Sequence, residues 1–184
     1  MLNYHNFLIF FHILGVAVGF GGVVMSDYIF LSSMRVGKIA KERFEFLKES
    51  SRMVWIGVLL MVISGALLFF EFPDRYLASG KFLAKMTLVA ILIINGAFFH
   101  WYHLPRLKRY LDASLPTLPE FKRHVSTLLI GGAISSVSWL GALLLGVIGR
   151  SPYTYWQVVL VYLAILAVGI VGALLLKNKI VPRQ

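Results

Sequence analysis

Runs of about twenty apolar residues recur five times along this chain, and no other feature restricts its fold as severely. A hydrocarbon core about 30 Å thick takes about 20 residues of helix to cross, and within it every backbone N–H and C=O must find its partner inside the protein. We place the spans at residues 7–31, 53–70, 82–104, 125–148 and 156–176, joined by short loops. Only 14% of residues are charged, against about 25% in an ordinary soluble domain, so no separate water-facing domain is expected. The expected fold class is all-α: a polytopic integral membrane protein whose residues 1–184 form one five-helix transmembrane bundle. No Lys or Arg precedes the first apolar run, and that run crosses a full membrane width. It is therefore expected to remain as a helix rather than leave as a signal peptide.

The basic residues set an orientation. Segment 35–52 carries six Lys and Arg, 105–124 five and 177–184 three, whereas 71–81 carries two and the last loop only Arg150. By the positive-inside rule the N-terminus faces outward and the C-terminus lies in the cytoplasm, as an odd number of spans requires. A multi-pass protein of the cell membrane, the bacterial inner membrane, is expected. The formal charge of +10 then faces anionic headgroups of the lipid bilayer, and no nucleic-acid partner is expected. Glu42, Glu45 and Glu49 alternate with bases in 35–52 as helical charge pairs do. The pattern predicts that the first helix continues, or restarts, as a polar cytoplasmic helix with a solvated face.

Chemistry has few places to reside. The chain has no cysteine, which removes disulfides, thiolate metal sites and thiol nucleophiles, and it lacks the motifs of zinc peptidases, serine hydrolases and nucleotide-binding loops. What remains are ionisable side chains at membrane depth, which are costly and persist mainly where paired or functional. His12 and Lys85 fall at similar depth in the outer half, with Glu71 near the outer end of the second span. Asp27, His100, His103 and His124 form an inner layer. Asp27 follows His12, and His100 follows Lys85, by 15 residues, or about 22 Å of helix. Asp27 is the one acid well inside a span, and Arg52, His100 or His124 is its expected partner.

For His12 two readings stand open: a hydrogen bond to a neighbouring helix, or axial ligation of haem iron. Gly15 and Gly19 share its helical face, where small side chains allow close approach of another helix or of a flat ligand. Lys85 is expected to pair with a haem propionate, act as a second ligand when neutral, or snorkel to the outer interface. His100 and His124 are alternative ligands. His100 and His103 also lie in the aromatic stretch Phe98-Phe99-His100-Trp101-Tyr102-His103, as interfacial anchors do.

The stretch Phe11-His12-Ile13-Leu14 leading to Phe20-Gly21-Gly22 resembles the first helix of the copper-resistance-D and HemJ-type membrane proteins. Lys81-Phe82-Leu83-Ala84-Lys85, continuing through Leu88-Val89-Ala90 to Asn95-Gly96, is similar to the lysine-bearing helix of that group. The resemblance covers roughly residues 5–105. It implies that His12 and Lys85 are the essential, haem-associated pair, and that the activity is protoporphyrinogen oxidation. The chain departs from HemJ-type proteins in its fifth helix and in Ser26-Asp27-Tyr28, where they carry an aromatic-Leu-Pro-Arg segment.

The leading expectation is thus a membrane protein that binds haem b or a related porphyrin, with an electron-transfer or porphyrin-oxidation role and a porphyrin or quinone as substrate. The alternatives are a small-solute or ion transporter or channel, with Asp27, Lys85 and Asn95 along a polar path, and a structural subunit of a membrane complex. A homo-oligomer suits any of the three.

Overall fold

The computed structural model describes residues 3–115, 118–149 and 152–180. Arg150 and residues 181–184, which enter the charge count above, lie outside the described residues. Helix α1 is Tyr4–Val36, α2 Lys41–Glu71, α3 Pro73–Leu77, α4 Gly80–Phe98, α5 Leu104–Arg109, α6 Pro119–Val147 and α7 Tyr155–Ile180. A π-helical turn, Phe99–His103, joins α4 to α5. Five helices among the described residues are long and apolar enough to cross a membrane: α1, α2, α4 with its continuation to Arg109, α6 and α7. The all-α five-helix fold expected from the apolar runs is the one observed.

Local chemistry explains the helix ends. Asn3 caps α1 by accepting the Asn6 N–H at 2.9 Å, and Gly37 ends it in the left-handed region at φ 78°. The polar segment does restart as a helix, but as the first turns of α2 rather than a separate element. It is more than a solvated face, because Phe44 and Leu47 turn inward against Ile39, Leu107, Tyr110, Phe121 and Val125. Backbone bonds from Asp112 N to Ile39 O (3.0 Å) and Leu115 N to Gly37 O (2.8 Å) close this cap over the basic end of the bundle, the inner end in the expected orientation, and inner and outer carry that expected sense throughout.

The tightest seam joins α1 to α2. Gly15, Gly19 and Gly22 lie on one face of α1, and a Cβ added to Gly22 would come within 2.9 Å of Ser50 O. A Cβ on Gly57 would strike Gly19 N and Cα and lie 2.6 Å from Gly15 O, so the two backbones touch directly, as lipid-embedded helices do through small residues. Helices α4 and α6 pack beside this pair. On the periphery, α7 is held at mid-depth by a 2.9 Å hydrogen bond between the buried Ser138 and Tyr162 hydroxyls and near the inner end by Lys177 Nζ, which donates to Ser126 Oγ at 2.8 Å. At the outer end Lys81 Nζ donates to the Ile148 and Gly149 carbonyls, at 2.6 and 2.8 Å, where the last turn of α6 leaves acceptors unpaired.

Candidate functional site

The outer polar layer converges on one point. The His12 ring lies against Gly65 of α2, where any Cβ would come within 3.1 Å of its Cε1. Its Nδ1 sits 3.0 Å from the Met61 carbonyl and 3.2 Å from Ser64 Oγ. A backbone carbonyl only accepts, so Nδ1 carries the proton and Nε2 keeps the lone pair. That lone pair faces Lys85 Nζ at 3.3 Å. The lysine therefore turns inward toward α1 and Gly146 of α6, rather than out to the headgroups. His12 and Lys85, placed at equal depth by helix arithmetic, are direct neighbours. Glu71, one layer further out, pairs with His5, a residue not among the candidates above.

Gly15 and Gly19 do not belong to this site. Cβ atoms there would meet Met61 N and Gly57 O at 2.6 and 2.9 Å, and the Trp139 ring, respectively. Of the two readings for this small-residue face, close approach of a helix is the one realised, and no gap for a macrocycle exists against these glycines.

The inner layer is arranged differently from expectation. Asp27 pairs with none of Arg52, His100 and His124; its Oδ2 accepts the Ser136 hydroxyl of α6 at 2.7 Å. Arg52 donates to Glu49 (2.6 Å), His100 Nδ1 lies 3.0 Å from Ser51 Oγ, and His124 Nδ1 donates to Glu120 O at 2.6 Å, closing a turn within α6. Asn95 Nδ2 donates to Gly131 O at 2.9 Å, joining α4 to α6. His103, read above as an interfacial anchor, is 2% exposed and its Nε2 has no hydrogen-bond partner among the described residues. The π turn places it there. Pro105 has no N–H to offer the Trp101 carbonyl, so the helix widens just ahead of it and the Leu104 N–H reaches back to Phe99 O.

Between the layers lies an apolar belt of Val23, Val58, Met61, Leu92 and Trp139, one or two residues from each of α1, α2, α4 and α6. Trp139 is fully buried, and its ring fills the space beside Gly19. Sequence reading missed this belt, although a tryptophan amid the small residues of α6 marked where a gap between helices had to be filled.

Among the described residues no group of three or more His, Asp and Glu side chains could hold a bare metal ion. Iron bound here would have to bring its own equatorial ligands, as a porphyrin does, and ask the protein for one or two axial ones. His12 has the chemistry for one of these: its Nδ1–H is anchored to a carbonyl, which fixes the ring, and its Nε2 lone pair, which here faces Lys85 Nζ at 3.3 Å, would turn to iron only if that lysine moved aside.

Fold and site together define a multi-pass, all-α membrane protein with a histidine–lysine pair in one half of the bundle and a carboxylate in the other. No protein-family model matches the chain, and neither a curated protein nor a solved structure shows significant similarity to it.

Proposed function

We propose that this protein binds haem b or a related porphyrin within the cell membrane, that of the bacterial inner membrane, and serves electron transfer or porphyrin oxidation. One observation carries the reading: His12 Nε2, its lone pair held in place by the Nδ1–H bond to Met61 O, faces Lys85 Nζ at 3.3 Å. Haem would supply a one-electron redox centre. The chain's own part is to present Nε2 in a fixed orientation, to hold the ring against α2 at Gly65, and to keep a lysine beside it as second ligand or propionate partner. The contact joins the two residues that the copper-resistance-D and HemJ-type resemblance carries over, and we retain that kinship as part of the proposal. The orientation with the N-terminus outside rests on the basic residues at one end of the bundle, from Arg35 and Lys38 to Lys122 and Arg123.

The test is the absorbance spectrum of protein purified in mild detergent from haem-supplied cells. A Soret band with reducible α and β bands is expected. His12→Ala should abolish or strongly shift it, whereas Lys85→Ala should weaken haem retention or change the coordination state. A colourless wild-type preparation, or an unaltered spectrum in His12→Ala protein, would refute the proposal.

A further inference from the structure

The inner half of the bundle holds machinery that the outer site does not use, centred on Asp27. Two cavities meet at this residue. One, about 260 Å³, lies between α1, α6 and α7 and is walled by apolar and small side chains such as Leu31, Leu129, Ala133, Gly169 and Ala173. Asp27 and Ser136 supply its polar side-chain atoms. The other, about 60 Å³, lies between α1, α2, α4 and α6; its walls are mostly apolar, with Val23, Phe30, Trp55 and Phe99 among them, but Ser26, Ser51, Asn95, His103 and Ser135 line it as well as Asp27. At about 15 Å³ per water of such space, it has room for a few waters among these polar groups. Asp27 thus stands between an apolar chamber and one that, though also mostly apolar, adds five polar side chains.

The fold maintains this placement. Gly132 lets the carboxylate lie against α6, since a Cβ there would come within 3.0 Å of Oδ1. Ser136 orients it through Oδ2. In the smaller cavity His103 offers a buried Nε2 that no described residue satisfies, an arrangement that native interiors seldom leave unused.

We infer that the larger cavity binds the head of a lipid-soluble quinol, one hydroxyl of which donates to the Asp27 carboxylate. The cavity exceeds the roughly 150 Å³ in which an apolar pocket takes up a single benzene ring. Its walls suit a hydrocarbon ring and tail, and its polar edge consists of an acceptor that needs a donor. Many hydroxylated lipids share that chemistry. The choice of a quinol, which also carries electrons, rests on the redox reading of the outer site. On the far side of Asp27 the smaller cavity is lined by His103, whose Nε2 no described residue satisfies, so Asp27 stands between that imidazole and the bound hydroxyl.

The test uses full-length protein in lipid nanodiscs, with and without haem, titrated with 2-heptyl-4-hydroxyquinoline N-oxide, a fluorescent quinol analogue, following quenching of its emission. Saturable binding at one site per chain is expected in both preparations. Asp27→Asn should weaken it at least tenfold, and Ala173→Phe, which fills the cavity and leaves the carboxylate intact, should remove the saturable component. A titration without a saturable component, or one that both variants leave unchanged, overturns the inference. The outcome is separable from that at the outer site. A Soret band without analogue binding refutes this site alone, whereas Asp27-dependent binding to a protein that never shows a Soret band supports this site and refutes the haem.

Discussion

Replacing Gly57 by Ala tests whether the α1–α2 seam both stabilises the bundle and positions the histidine. A Cβ at residue 57 would lie 2.6 Å from Gly15 O and nearer still to Gly19 N and Cα. All of these are backbone atoms, so no rotamer change relieves the clash. Restoring ordinary contact of about 3.5 Å requires the helices to part by about 1 Å, and overpacking of this kind costs about 1–3 kcal/mol. Alanine's better helix propensity offsets about 0.8 kcal/mol of that, which leaves a net loss of about 0.2–2.2 kcal/mol, and a deficit of about 1–3 kcal/mol against a control that has the propensity gain alone. Gly21→Ala is the matched control: its Cβ meets nothing within 4 Å, so only the propensity gain applies. The same displacement reaches the site, because Met61 lies one turn from Gly57 and its carbonyl holds His12 Nδ1 at 3.0 Å. About 1 Å more breaks that bond, so haem retention should fall along with stability. Unfolding by SDS titration in mixed micelles, followed by tryptophan fluorescence, measures the first effect and the Soret absorbance per chain the second. Gly57→Ala protein as stable as the Gly21→Ala control would refute the account of the seam.

Three further outcomes follow. Ser136→Ala leaves the Asp27 carboxylate without its hydroxyl donor and should destabilise the bundle by about 1–3 kcal/mol in the same SDS titration; a neutral result would mean that water replaces the serine. Lys81→Met releases the terminal carbonyls of α6 at an exposed position, so the loss should stay below about 1 kcal/mol and appear as faster proteolysis of the loop between α6 and α7. Reporter domains fused after Asp74 should read extracytoplasmic and those fused at Gln184 cytoplasmic, and the reverse pattern would overturn the orientation.

The spans were legible because lipid leaves the chain no alternative to helices, and hydropathy alone locates them. The outer pair was legible too, since rise per residue fixes depth: His12 and Lys85 each lie a few residues from the N-terminal end of the first and third spans, which run in the same direction. Rotation about the helix axis was not. Whether the glycines of α1 face a helix or a ligand depends on which neighbour they meet, and the partner of Asp27 proved to be Ser136 of α6 rather than any cation. His103 illustrates the difficulty. Asn95, Phe99, His103 and Leu107 recur every four residues, a spacing at which a regular α-helix drifts by about 40° per step. The π turn absorbs the drift and brings His103 to the cavity that Asn95 and Phe99 line. Pro105 was the visible signal for that turn, though its consequence for the histidine needed three dimensions.

The apolar belt determines how the two polar layers can communicate. A solute or hydrated ion passing from Asp27 to His12 would have to displace Trp139, which is fully buried and packed against Gly19 at the tightest point of the bundle. A proton would need a continuous chain of hydrogen-bonding groups; the belt of Val23, Val58, Met61, Leu92 and Trp139 offers none, and the mid-depth hydroxyls of Ser138 and Tyr162 bond to each other. Neither passage suits a continuous transport path, which would line its midplane with polar groups. Electrons require no such lining, and a packed apolar belt is no barrier of that kind to them. A carboxylate beside a cavity lined by His103 in one leaflet and an anchored imidazole in the other therefore agree with a division of labour. On the functions proposed above, protons would be handled where the inner cavity meets Asp27, electrons would cross the belt, and the histidine–lysine pair would hold the centre that receives them.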